Sequence, residues 1–192
     1  MDAARTLFFF DYLDPLSYLV DLELRALEPA ERSGVTRVPL ELRPPPFPLL
    51  DPEGEEWRRR WGEATAAAVE RGVHLVPPAL VPWTRKAHEL VLHAETKGVE
   101  ESAHRAVFDA VFVGGLDVGR VDVLVSIAED LGLDATETKA VLDVDRHTAS
   151  VAEARRLAAT SGITAPPALA RGGRTLRGFH NRDDLRTFLS SP

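Results

Sequence analysis

A carboxylate and a hydroxyl stand three residues apart where an apolar run gives way to a helical pattern. The segment is TLFFFDYLDPLSYLV, and the pair is Asp14 and Ser17. Asp14-Pro15 reads as an N-cap followed by proline at the first helical position. Such a turn leaves backbone N–H groups unpaired, and the helix dipole there favours negative charge. Asp14 is therefore expected to be ionised. It serves either as a cap, worth about 1 kcal/mol, or as a carboxylate facing a ligand. Ser17 either closes a local hydrogen bond to Asp14 or the backbone, or donates to a bound group.

A missing residue type bounds the chemistry more sharply. The 192 residues include no cysteine. Thiol–disulfide exchange needs a thiolate, so the chain cannot perform it with its own side chains. Disulfide staples, Cys-containing zinc sites and iron–sulfur ligation are excluded with it. Thr84 and His88 lie four apart in a helical pattern and so share a face. His88 is then either a proton carrier or a hydrogen-bonded anchor of its helix. His74, His93, His104, His147 and His180 show no H-x-x-x-H or H-E-x-x-H spacing, so no metal site is expected.

The elements that must position these residues follow from periodicity. Residues 6–10 read as a fully buried strand, and a helix follows to about Glu28. Residues 35–43 alternate as a second strand, with Pro39 suggesting an edge position or a late start. The tract Arg43-Pro44-Pro45-Pro46-Phe47-Pro48 is extended and bridges two regions. Helical patterns cover 54–71, 83–97, 100–113 and 120–131. Asp134 and Glu137 then cap a short helix to about Leu142, and another runs over 146–160. Strands at 167–171 and 174–178 flank Gly172-Gly173, a two-residue hairpin signal. Asn181 caps a last amphipathic helix. Trp57, Trp61, Phe47 and Trp83 are expected to pack inside the helical block, or in part to line a pocket above Asp14. The order is that of a thioredoxin-like α/β fold hosting a helical insert.

Three blocks carry a resemblance to a known family. D-Y-L-D-P-L-S-Y-L has the layout of D-x-x-C-P-x-C-Y-L or D-x-x-S-P-x-S-Y-L. Thr84 to His88 and Ala106 to Phe112 resemble T-x-x-A-H and A-x-F blocks. SGITAPPALARGGRTLRGF resembles G-V-x-G-V-P-T-F-x-x-x-G-x-x-x-x-G. Together they resemble the DsbA family, in the branch of FrnE-type oxidoreductases, 2-hydroxychromene-2-carboxylate isomerases and kappa-class glutathione transferases. The resemblance implies a thioredoxin-like domain made of residues 1–53 and 146–192, interrupted by an α-helical insertion domain at 54–145.

It also assigns positions. Asp14 stands at the first active-site position, held by Cys in the oxidoreductases and Ser in the other relatives; Ser17 stands at the second. Pro167 matches the proline that is cis in relatives, preceded here by Pro166 and followed by Ala168 in place of Thr. A cis bond would turn the preceding backbone toward the cleft, where a peptide-like ligand pairs as an added strand. Pro166 has no N–H, whereas relatives use that donor to hold glutathione's cysteinyl backbone. Asn181 and Arg182 fall near the G-x-D-R segment that meets the γ-glutamyl end of glutathione, or they simply begin a capped surface helix. His88 would look toward the same cleft.

The implied function is a DsbA-family homologue that binds a small molecule or extended peptide at the Asp14/Pro167 cleft without dithiol chemistry. Glutathione remains an open cofactor, and a glutathione-dependent isomerase or transferase is the alternative. An ionised Asp14 argues against a thiolate beside it, since unit charges about 4 Å apart at an effective dielectric near 20 repel by about 4 kcal/mol. A non-catalytic interaction module, such as a homodimer, is the third reading. The formal charge of −7 speaks against a nucleic-acid partner. The apolar run at 7–10 is too short for a signal core and no stretch reaches 18 apolar residues, so no membrane partner and a cytoplasmic location are expected.

Overall fold

The computed structural model describes residues 5–191; the first four residues and the last of the expected discontinuous domain lie outside them. Strand β1 (Thr6–Phe10) leads into α1 (Pro15–Arg25) and β2 (Val35–Pro39). Five helices follow: α2 (Glu55–Val69), α3 (Arg85–Thr96), α4 (Glu100–Phe112), α5 (Val121–Asp130) and α6 (Ala135–Asp143). Helix α7 (Thr148–Thr160), the hairpin β3 (Ala168–Arg171) and β4 (Arg174–Arg177), and α8 (Arg182–Ser190) complete the chain.

The sheet order is β2-β1-β3-β4. β1 runs parallel to β2 and antiparallel to β3, which is antiparallel to β4. Side chains alternate across a strand, so β1 serves two layers at once. Phe8 and Phe10 face a core shared with α1 to α6, while Phe9 joins Val38, Leu40, Ala158, Ile163 and Ala168. This explains why β1 reads as a continuous apolar run. Gly172 and Gly173 both adopt positive φ, 53° and 78°, which the tight hairpin requires.

β2 occupies an edge, as Pro39 suggests, but stops short of the expected residue 43. The Leu40 N–H still reaches the Phe10 carbonyl at 2.9 Å. The Leu42 N–H then goes to the side chain of Asp11, which ends the ladder. α1 likewise ends before the expected Glu28, with Ala26 as its C-cap.

The first core cluster runs without interruption from the sheet into the helical insert, from Phe8 and Phe10 through Tyr12, Phe108 and Phe112 to Leu124 and Leu142. Trp57 is buried and stacks on Trp61, which in turn stacks on Phe112. Phe47 and Trp83 are not core residues. They are 56% and 40% exposed, and the Trp83 indole N–H caps the Phe47 carbonyl. The proline-rich strap lies on the surface, so its aromatic residue has no layer to enter.

Candidate functional site: the Asp14–Arg60 latch

β1 delivers the chain to a turn at Asp11–Asp14, where the Asp14 N–H bonds the Asp11 carbonyl at 3.1 Å. Asp14 is extended (φ −85°, ψ 108°) and caps α1. Its Oδ2 accepts from the Ser17 backbone N–H at 3.0 Å and from the Ser17 hydroxyl at 2.5 Å. The same hydroxyl oxygen accepts from the Asp11 N–H at 3.3 Å. Both side chains are fully buried. Ser17 is thus committed to the turn, its proton to Asp14 and its lone pair to Asp11.

The other oxygen of Asp14 is taken from a distance. Arg60, on α2 of the insert, donates from Nε to Asp14 Oδ1 at 2.7 Å and from Nη2 to the Pro166 carbonyl at 2.5 Å. The Pro166–Pro167 bond is cis, and both prolines are buried. One guanidinium therefore ties the α1 cap, the helical insert and the cis-proline loop together. It is the accessible part of the group, its side chain being 18% exposed against 0% for Asp14.

Burial works against the ionisation expected from the sequence. It pushes the Asp14 carboxyl above its usual range, and the Arg60 charge and the Ser17 and Arg60 hydrogen bonds offset this only in part. The helix terminus does not decide the matter, because desolvation of the charged form is the larger effect.

His88 lies elsewhere in the same neighbourhood. Its Nε2 meets Asp11 Oδ1 at 3.2 Å, and Thr84, at the start of α3, bonds the same carboxylate. Asp11 feels a strong upward push from burial, but the His88 hydrogen bond and charge, with Thr84 and Leu42, outweigh it and hold the carboxyl below its usual range. Asp11 thus pins α3 to the end of β1, with His88 and Thr84 as the pins.

Asn181 and Arg182 do not join the latch. The Asn181 side chain accepts from the Asp183 and Asp184 N–H groups at 3.0 Å each, capping α8. Arg182 reaches Glu23 on α1 at 3.5 Å, and Arg71 holds the same carboxylate at 2.6 Å.

A second buried network surrounds α4. The Tyr12 hydroxyl meets His104 Nδ1 at 2.9 Å, and His104 Nε2 meets Asp21 Oδ1 at 3.0 Å. Arg25 and Arg37 flank Asp21 at 2.9 and 3.5 Å, and Arg37 forks onto Glu101. Burial raises the Asp21 carboxyl, but His104 and the two arginines overcome it and the net shift is downward. Burial also lowers the His104 pKa, against the pull of Asp21.

Arg60 escaped the sequence reading, yet a signal existed. Trp57, Trp61, Ala64 and Ala68 form the buried stripe of α2, and Arg60 falls three residues after Trp57, on that face. A charge on an apolar face needs a partner. Among the described residues, no group of three or more metal-ligating side chains is gathered.

A family model for the DSBA-like thioredoxin domain matches residues 6–190. The chain belongs to the DSBA-like thioredoxin family. This DSBA-like protein is 26% identical to the uncharacterized protein YwbO of Bacillus subtilis (strain 168) over 187 residues, 95% of this chain and 94% of YwbO. Its fold is similar to that of a probable DsbA oxidoreductase from Streptomyces coelicolor, with TM-score 0.78, 21% identity, and 97% and 88% of the two chains covered. It is also similar to a 2-hydroxychromene-2-carboxylate isomerase, with TM-score 0.72, 19% identity, and 97% and 93% covered. The resemblance drawn from the three sequence blocks therefore holds at the level of family and fold, for a chain without cysteine. Among the described residues, no helix is long and apolar enough to cross a membrane.

Proposed function

We propose that this DSBA-like protein binds a small carboxylate, or the C-terminal carboxylate of an extended peptide, at the Asp14/Pro167 cleft by non-covalent means. The observation that carries the reading is the Arg60 side chain, 18% exposed, whose guanidinium is held between Asp14 and the Pro166 carbonyl. A guanidinium has five N–H donors in a fork that matches a carboxylate. Two hydrogen bonds to Asp14 and Pro166 leave donors for an incoming anion. A peptide would also find the Pro166 carbonyl as a strand-type acceptor once Arg60 turns to the ligand. Own-chain dithiol chemistry has no place in this account, because there is no thiol.

The test is a titration followed by backbone NMR, using N-acetyl dipeptides with a free or an amidated C-terminus. The free acids should perturb Asp14, Ser17 and Ala168, and Arg60→Gln should weaken their binding at least tenfold, in line with loss of a charge-assisted pair of roughly 1.5–3 kcal/mol. Equal binding of the amidated peptides, or no binding at millimolar concentration, would overturn the proposal.

Arg60 also favours a second reading, a glutathione-dependent isomerase-like activity. A thiolate about 4 Å from Asp14 alone meets a repulsion of about 4 kcal/mol, but the Arg60 cation supplies an attraction of the same order. The raised Asp14 pKa acts in the same direction. The likeness to the isomerase fold supports the reading at the level of scaffold. Calorimetry with millimolar glutathione decides it: absence of heat ends this reading, and if heat appears, Asp14→Ser should tighten binding.

A further inference from the structure

A small pocket of about 130 Å³ lies where α1 ends, between the turn that follows it, the edge strand β2 and the start of α4. Leu24, Arg25, Arg32, Val35, Arg37 and Glu101 line it. None of Asp14, Ser17, Arg60, Pro166 or Pro167 does, so the pocket is separate from the latch. Three guanidinium groups thus share a wall with a single carboxylate. The space is below the range of about 300–1,000 Å³ that drug-sized ligands occupy, and suits a compact ion.

The charges do not close among themselves. Arg37 is committed to Glu101 at 2.6 Å and to Asp21 at 3.5 Å. Arg25 meets Asp21 at 2.9 Å as an ion pair, yet its Nε and Nη2 are buried without a hydrogen-bond acceptor. Among the described residues, the Arg32 side chain makes neither an ion pair nor a hydrogen bond, and its Nε is buried too. Three cations therefore stand against two carboxylates, Glu101 and the fully buried Asp21, which leaves Arg32 without a counter-ion. Guanidinium groups drawn partly out of water ordinarily find acceptors. The Nη1 of Arg25 and both Nη atoms of Arg32 make no hydrogen bond and keep contact with solvent, so a ligand entering the pocket meets these donors first.

We propose that this pocket binds a phosphate group, as the free ion or at the end of a small monoester, with its oxygens accepting from the Arg32 guanidinium and from Arg25 Nη1. Guanidinium forks match phosphate oxygens in both geometry and charge. Leu24 and Val35 give the pocket an apolar wall, which lowers the local dielectric and strengthens the attraction. Glu101, about half exposed, holds Arg37 and opposes the incoming anion, so its removal tests the proposal with the opposite sign.

The experiment titrates inorganic phosphate, glycerol 3-phosphate and acetate into the full chain at constant ionic strength, followed by the arginine Nε–H resonances. Both phosphates should shift the Arg25 and Arg32 signals and saturate at millimolar concentration, and acetate should leave those signals in place. The tighter of the two phosphates identifies the free ion or the monoester as the ligand. Arg32→Gln removes a side chain that holds no partner in the fold, and should weaken phosphate binding by about tenfold or more. Glu101→Gln should tighten it about threefold. Arg60→Gln should leave it within about twofold, which separates this pocket from the latch. Equal shifts with acetate, unchanged affinity in Arg32→Gln, weaker binding in Glu101→Gln, a large loss in Arg60→Gln, or no saturation by either phosphate would each overturn the proposal.

Discussion

At the scale of the residue, the decisive feature is a carboxylate that is both helix cap and ion-pair partner. Asp14 satisfies the Ser17 N–H, accepts a hydrogen bond from the Ser17 hydroxyl, and pairs with Arg60, all without exposure. Its folded pKa is raised by burial, so the folded state favours the protonated form. The associated penalty sets in as pH rises from the ordinary aspartate value, near 3.9, through the folded one. Removing the charge while keeping the cap is therefore milder than removing both. We predict that Asp14→Ala loses about 3–5 kcal/mol, since it strands a buried charge and a capping N–H. Asp14→Asn should lose about 1 kcal/mol less, because asparagine caps as well as aspartate but leaves Arg60 equally without its carboxylate. Urea denaturation at pH 7 checks the pair, and an Asp14→Ala protein as stable as the parent would show that the latch holds nothing. The cap was legible in the sequence because Asp-Pro before an apolar periodic run is a local signal. The arginine was not, because its role exists only once α2, 46 positions along the chain, has been brought over the turn.

At the scale of the element, two histidines fasten the helical insert to the sheet. His88 on α3 grips Asp11 at the end of β1, and His104 on α4 grips Asp21 on α1 while accepting or donating at Tyr12. The helices themselves were readable from periodicity, and their ends fall within a few residues of the expected ones. The pairing between elements was not readable, because no pattern within α4 says which aspartate lies opposite His104. Asp21 has a lowered folded pKa, so it contributes stability above the ordinary aspartate range and loses it as pH falls through the folded value. We predict that Asp21→Asn costs about 3 kcal/mol at neutral pH, as expected when a buried ion pair loses one partner. The gap to the parent should begin to narrow below about pH 4, where Asp21 of the unfolded chain takes up its proton, and should close as pH falls through the lowered folded value. Chemical denaturation at neutral and acid pH in equal salt gives both numbers. A gap that stays constant with pH would assign the loss to packing rather than charge.

At the scale of the whole molecule, one core cluster spans the sheet, α1 and the insert, and the buried titratable groups are threaded through that same core. Fold class was legible early, since a buried strand, a capped helix, an edge strand, a helical block and a closing hairpin admit few arrangements. What the one-dimensional pattern could not weigh was the desolvation of charges inside the shared core, which depends on the finished packing. Its consequence is a collective pH response with a definite sign. Burial is the main cause of the lowered pKa values of His104 and His93. Each histidine therefore contributes stability that is complete above its unfolded value, near 6.5, and lost as pH falls through the folded one. Asp11 and Asp21 add a second loss in the more acidic range. Asp14 and Glu100, with raised pKa values, oppose them, but these two do not reverse the trend of the four. The protein should thus lose stability in two limbs, the first beginning just below pH 6.5 and the second below about pH 4. His104→Gln, which keeps a donor toward Asp21 but cannot titrate, should flatten the first limb and leave the second in place. Because sheet and insert share one core, fluorescence of the tryptophans on and near α2 and far-ultraviolet circular dichroism should report the same urea midpoint at every pH. Stability that stays level or rises as pH falls from 7 to 5, in the parent protein, would contradict the burial of neutral His104 on which this account of the molecule rests.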